Sequence, residues 1–363
     1  MRGFNHPRGA ALCCAVLLLA CRTPDSLGTR VERGPPPPSG PTFTAQQSGT
    51  DVLLQAVSPV DDRVVWASGH GATWARTTDG GRTWTAATVP GGDELEFRDV
   101  HGFDAETAVL LSAGTGELSR IYRTEDGGAS WTLRWTNEEP DGFYDCIDFW
   151  DRDRGIAYGD AVDGELRILR TGDGGRTWTR LPGGDLPPAR EGEGGFAASG
   201  TCVITRPGGL AWIAAGNTEG ARVFRTADFG GTWTAHDVPV VSGSGAGLTS
   251  VAMMDDRNGL AFGGDLAIRD AHTDNVARTA DGGSTWQPAA RPAMAGAIYG
   301  GAFVPGTEDA FVIVGPAGAD VSTDGGRTWN PLDTSEWWGV AAHGPDAIWL
   351  AGPDGRIARV GVR

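Results

Sequence analysis

The sequence predicts an all-β fold, a seven-bladed β-propeller, and three observations carry that prediction. An eight-residue pattern recurs six times, at 77–84, 124–131, 171–178, 226–233, 279–286 and 322–329. The intervals run 47, 47, 55, 53 and 43 residues, the length of a four-stranded blade with its turns. Beyond the last copy, residues 337–362 hold strand-like runs without a seventh copy, and they fall one strand short of a blade.

Taken from the N-terminus, Arg2 and Arg8 flank an apolar run from Ala10 to Ala20 that is too short for a mature membrane-spanning helix. It reads as a secretory signal over residues 1–21. The run ends Leu18-Leu19-Ala20-Cys21, which resembles the lipobox of bacterial lipoproteins and implies lipidation of Cys21; cleavage elsewhere as an ordinary signal is the alternative. Residues 22–48, with Gly34-Pro35-Pro36-Pro37-Pro38-Ser39-Gly40-Pro41, are poor in apolar side chains and read as a disordered, Pro-rich tether. The propeller then occupies 49–363, with blades at about 50–88, 95–136, 143–182, 199–238, 248–290, 298–332 and 337–362. The three-strand last blade is completed by the N-terminal segment around Thr42 to Val52, which closes the circle and removes the open sheet edge. Six and eight blades are the neighbouring alternatives.

The copies read TTDGGRTW, TEDGGASW, TGDGGRTW, TADFGGTW, TADGGSTW and STDGGRTW. Asp79, Asp126, Asp173, Asp228, Asp281 and Asp324 are placed to accept backbone N–H bonds inside their own turns, and the glycines supply positive φ. Trp84, Trp131, Trp178, Trp233, Trp286 and Trp329 are placed to fill the gaps between blades. An acidic group repeated around a ring does not converge on one ligand unless it lines the axis, so these residues read as architecture. Arg76, Arg123, Arg170, Arg225 and Arg278 each precede a copy and are expected to ladder from blade to blade.

The chain holds 46 acidic residues and 30 basic ones, with a formal charge of −16. That balance argues against nucleic-acid phosphate as a partner. Every basic residue is Arg, and the absence of Lys excludes lysine Schiff-base chemistry and a P-loop lysine. Once the signal is removed, Cys146 and Cys202 remain for an oxidising compartment, on the first strands of adjacent blades. They either pair or stay as two buried thiols.

Function is sought where the repeat breaks, on the face formed by blade-to-blade connections and second-to-third-strand loops. Candidate binding residues there are His70, Tyr144, Asp145, Asp160, Arg190, Glu191, Glu193, Asp265, Asp274 and Asn275. Asp145 with Asp160, or Glu191 with Glu193, offers paired carboxylates of the kind that cleave glycosidic bonds; the glycosidase set is Asp145, Asp160, Glu193 and Asp265. Asp270, His272 and Asp274 share a loop without a recognised metal spacing, so no metal and no cofactor are expected.

The repeated pattern S/T-x-D-x-G-x-S/T-W is similar to the Asp-box of BNR-type propellers. The runs FYDCIDFWDRDRGIAYGD (143–160), EGEGGFAASGT (191–201), RVFRTADFGGTW (222–233), GGD with TDN (263–265 and 273–275) and GPAGADVSTDGGRTW (315–329) resemble the photosystem II stability/assembly-factor family, in its exported bacterial branch. That resemblance covers about 50–362 and implies a non-catalytic, monomeric scaffold that binds a protein partner at the cell envelope, held to the membrane through its lipidated N-terminus. A sialidase-like or other Asp-box glycosidase acting on exposed glycans is the alternative.

Overall fold

The computed structural model describes residues 40–362. These form seven four-stranded antiparallel sheets, at 54–88, 97–136, 144–180, 203–238, 246–288, 300–333 and 339–361, numbered here as blades 1 to 7. The second strands explain why sheets stack radially. Val65–Gly69, Ala108–Ser112, Phe311–Gly315 and Ala347–Ala351 are buried at every residue. Such strands need cover on both faces, which only a blade on either side provides. Fourth strands such as Thr85–Thr88 and Thr132–Thr136 form the exposed outer rim.

Blade 7 closes the ring as the sequence predicts. Its order is Gly339–Gly344, Ala347–Ala351, Arg356–Gly361 and then Thr42–Gln47 on the outside. Thr42 pairs antiparallel with Gly361, and Gln47 with Arg356. One boundary is corrected: the strand Thr42–Gln47 lies inside the segment assigned to the tether, so the propeller begins near residue 42 rather than at 49. Backbone groups at 42–47 are satisfied by the last strand, and pairing outweighs the polar composition that suggested disorder. The signal, Cys21 and the rest of the tether, 22–39, lie outside the described residues.

The six repeated turns join third to fourth strands, and their chemistry is local. Thr77 Oγ1 donates to Asp79 Oδ1 at 2.9 Å, Thr83 N donates to the same oxygen at 2.9 Å, and Thr83 Oγ1 donates to Oδ2 at 2.7 Å. The same three bonds recur at Asp126, Asp173, Asp228, Asp281 and Asp324. The Thr83 hydroxyl and amide hold the Asp79 carboxyl down to about 2, and Thr285 does the same for Asp281. The aspartates are therefore spent on their own turns. The fourth copy has Phe229 at φ +59°, where the others have glycine; its ring lies 5.6 Å from Trp150 and under the Arg154 guanidinium, which offset the left-handed strain.

Each turn is fastened twice more. Within its blade, Gly80 N donates to Arg63 O at 2.9 Å, and Gly127, Gly174, Gly282 and Gly325 repeat this bond to their own first-to-second-strand turns. Those turns and the repeated turns therefore share one face. Between blades, Arg123 Nη1 donates to Gly174 O at 2.7 Å, Arg170 Nη1 to Gly230 O at 3.3 Å and Arg278 Nη2 to Gly325 O. Arg76 reaches the next blade at Ala105 O. Arg359 takes this place in blade 7 and reaches Gly80 O at 3.1 Å, across the closure. Blade 4 differs, because there Trp212 Nε1 takes Gly282 O at 2.8 Å and Arg225 Nε is left without a partner. The repeated tryptophans wedge between blades: Trp84 lies 5.7 Å from Trp349, and Trp131 lies 6.0 Å from Trp66.

Candidate functional site

The 55-residue interval between the third and fourth repeats contains the segment 187–201, which joins blade 3 to blade 4 across the connection face. Its anchor is Glu193. Arg222, on the third strand of blade 4, donates Nε to Glu193 Oε1 at 2.7 Å and Nη2 to Oε2. Arg190 N adds a bond to Oε2 at 2.9 Å. A fully buried carboxylate is tolerable here because it is paired and bonded on both oxygens.

From Glu193 the chain runs over Asp145 and Asp160. Asp145 stands on the first strand of blade 3 and Asp160 near the end of its second. Gly195 N donates to Asp160 Oδ1 at 2.9 Å, and the Asp145 carboxyl lies close to that of Asp160 while its own Oδ2 has no hydrogen-bond partner. Burial pushes Asp160 up to about 6 and Asp145 well above the usual carboxylate range, with Asp160's charge adding to the effect on Asp145. The glycines are dictated by this contact: a Cβ on Gly194 would sit 2.0 Å from Asp160 Oδ1, and one on Gly195 2.7 Å from Asp145 Oδ2. Tyr158, buried beside them, has no partner for its hydroxyl.

The segment then crosses the channel mouth. Ala198 packs with Ala297 and Tyr299 at the entry to blade 6. Gly200 lies against Asp99 of blade 2 and Ala56 of blade 1, and Thr201 Oγ1 donates to Ser250 Oγ of blade 5 at 2.8 Å. Cys202 ends the crossing in a disulfide to Cys146, with Cα atoms 6.0 Å apart. The chain thus closes its own channel on the connection face. Lateral bridges Gly194–Gly216 and Gly216–Gly247 hold the cover down.

Of the glycosidase set, Asp145, Asp160 and Glu193 come together, but they face inward beneath the cover. Asp265 lies two blades away, where its Oδ1 accepts from Ala267 N at 2.9 Å. The remaining candidates are scattered. His70 Nε2 bonds Gln55 Oε1 at 2.7 Å, and burial lowers its pKa. Tyr144 is buried with its ring 4.7 Å from Trp135. Arg190 Nη2 bonds Asp237 Oδ1 at 2.6 Å, Arg291 Nη2 bonds Asp274 Oδ1 at 2.8 Å, and Asn275 Nδ2 bonds Gly296 O at 3.2 Å. Glu191 is exposed on the connecting segment. Among the described residues, no group of three or more His, Cys, Asp or Glu side chains is arranged to hold a metal ion.

The channel is open at the opposite end. A cavity of about 360 Å³ is lined by first-strand residues of all seven blades, among them Val57, Val100, Ile147, Val203, Val251, Gly301 and Val340. Pro59, His101, Thr205 and Phe303 at one end of it are half-exposed. Gln55, Asp145 and Thr249, near the opposite ends of the first strands, are buried. On the connection face, where the repeat breaks, the mouth is filled by 194–201, and the open one lies on the face of the repeated turns. Neighbouring first strands are tied by side-chain bonds, Ile147 N to Asp99 Oδ2 at 2.7 Å, Thr205 N to Asp148 Oδ2 at 2.7 Å and Gly301 N to Ser250 Oγ at 3.0 Å. His101 Nδ1 lies 3.1 Å from Asp148 Oδ1 in the same wall. Asp99, Asp148, His101 and Arg222 carry no signal in the sequence that sets them apart from any other charged strand residue.

No protein-family model matches this chain, and no curated protein does. Solved structures do. YCF48 bound to D1 peptide is similar at 20% identity and a TM-score of 0.63, over 88% of this chain and 97% of that one. YCF48 from Cyanidioschyzon merolae is similar at 17% identity and a TM-score of 0.62, over 88% and 98%. The structure of U3-55K is similar at 11% identity and a TM-score of 0.61, over 88% and 98%. At these identities the likeness is one of fold, and the fold is a seven-bladed β-propeller.

Proposed function

We propose that this chain is an exported, lipid-anchored propeller of the BNR/Asp-box type, from the exported bacterial branch of the assembly-factor family, that binds a protein partner at the cell envelope without catalysing a reaction. The observation that carries this reading is the fate of the carboxylates. Glycoside hydrolysis needs two carboxyl groups facing a substrate space. Asp145 and Asp160 instead face each other under Gly194 and Gly195, and Glu193 is held by Arg222. The same fold has been solved holding a peptide, in YCF48 bound to D1 peptide, which supports a polypeptide as ligand.

The test uses the full-length protein in its native membrane. Palmitate should label the wild type and not Cys21→Ala, and in-membrane cross-linking should join the propeller to a defined protein. Hydrolysis of any member of a glycoside panel by the purified chain, lost in Asp160→Asn, would overturn the reading in favour of a glycosidase.

A further inference from the structure

We infer that the open end of the central channel, on the face of the repeated turns, is a docking site for a polypeptide end or loop tip that inserts an apolar side chain and carries flanking Lys or Arg. The inference rests on the proposed function and gives that binding role a location and a chemistry.

The volume sets the first limit. About 360 Å³ is room for about a dozen waters at their liquid volume, near the small end of ligand pockets. It admits a side chain or two with their backbone, and no folded surface. The walls set the second. Ile204, Ala302, Phe303 and Ala342, all half-buried, present apolar groups at the open end, beside polar wall groups such as His101, Asp148 and Arg206, so the inserted group is an apolar side chain whose backbone meets polar wall. Side-chain bonds between first strands hold these walls in place before anything binds, which limits the ordering cost of binding.

Charge sets the third. The turns that follow Pro59, His101, Asp148 and Phe303 carry Asp62, Glu106, Asp153 and Glu308, all exposed. Among the described residues, no ion pair or hydrogen bond engages these four carboxylates. Of the arginines of the same turns, Arg152 pairs with Asp104, Arg154 with Asp151 and Arg206 with Asp256 at 3.1 Å, whereas Arg63 and Arg257 bond only carbonyl oxygens and are outnumbered by the acids around them. The acids that cap these turns, such as Asp61 and Asp255, keep their charge while accepting backbone N–H groups, so they add to the four carboxylates and the rim is net acidic. Apolar groups at a channel mouth under an acidic rim select an apolar side chain with cationic neighbours and steer it by charge. An acidic segment is repelled.

The probe is a fluorescent peptide with a Leu-Phe-Leu centre and two arginines on each side, set against the same peptide with glutamates in their place. Fluorescence anisotropy with the full-length protein should show saturable binding of the basic peptide, weakened by added salt, and none of the acidic one. Ala302→Trp, which fills the channel, and the triple variant Asp62→Lys, Glu106→Lys, Asp153→Lys should each weaken binding about tenfold or more. The rim residues are exposed, so the triple variant keeps the fold even where Ala302→Trp does not. Equal binding by the triple variant, equal binding of the two peptides, or no binding of the basic peptide overturns this inference. A partner that cross-links in the membrane despite any of those results leaves the scaffold reading standing and moves its site elsewhere.

Discussion

Asp145 and Asp160 lie together beneath the backbone of Gly195, and burial there raises both carboxyl groups above ordinary aspartates. Because burial raises Asp160 to about 6 from 3.8, the native state binds more protons than the unfolded chain over that window. The associated stability is fully present below about pH 4 and is lost as pH rises through about 6. Urea midpoints should fall between about pH 5 and pH 8, and Asp160→Asn should flatten that slope. An unchanged slope in the variant would show that the pair does not control it.

The repeated turns carry the opposite sign. Asp79 and Asp281 are held near 2 by threonine hydroxyls and amides, so their contribution is present above the unfolded value near 4 and disappears as pH falls toward 2. Acid unfolding should therefore set in below about pH 4. Asp281→Ala, which breaks bonds to Thr279 and Thr285, should cost about 1–2 kcal/mol, read from its thermal midpoint.

Trp178 is buried between blades, with its ring 5.8 Å from Phe149. Trp178→Ala should cost about 3–5 kcal/mol in chemical denaturation. Binding of the basic peptide should survive wherever the variant remains folded, because the wedge lies away from the channel.

The Cys146–Cys202 bond closes a 56-residue separation and pins the end of the segment that covers the channel. In the loop-entropy limit, its loss through Cys146→Ser with Cys202→Ser should cost roughly 4 kcal/mol. Limited proteolysis should then cut within 187–201 in the variant before it cuts any blade. Equal protection in both proteins would show that Glu193, Arg222 and the glycine bridges hold the cover unaided.

Much of this fold is legible in the sequence because its repeats are bound to fixed chemistry. A hydroxyl, an Asp, glycines and a Trp recur at blade intervals, and the shortage of one strand after residue 337 announces a closing strand from the N-terminus. The limits of that strand were less legible, since Thr42–Gln47 is polar and takes its order from pairing with Arg356–Gly361. The candidate carboxylates were visible as residue types, but their orientation was not. Whether Asp145 faces solvent or the underside of Gly195 depends on where an irregular connection lies, and no period governs its path. The open mouth escaped notice for the same reason: Ala198, Ser199 and Gly200 carry little chemistry of their own, yet they decide which end of the channel is closed.

The channel is sealed by the chain on the connection face and open on the face of the repeated turns. Cysteine accessibility measures this directly in the folded chain from residue 40 onward, where Cys146 and Cys202 are paired. With a bulky maleimide, Ala342→Cys in the cavity wall should label readily, and Thr249→Cys, buried near the connection-face end of its first strand, should not. Rapid labelling of Thr249→Cys with protection of Ala342→Cys would contradict the account.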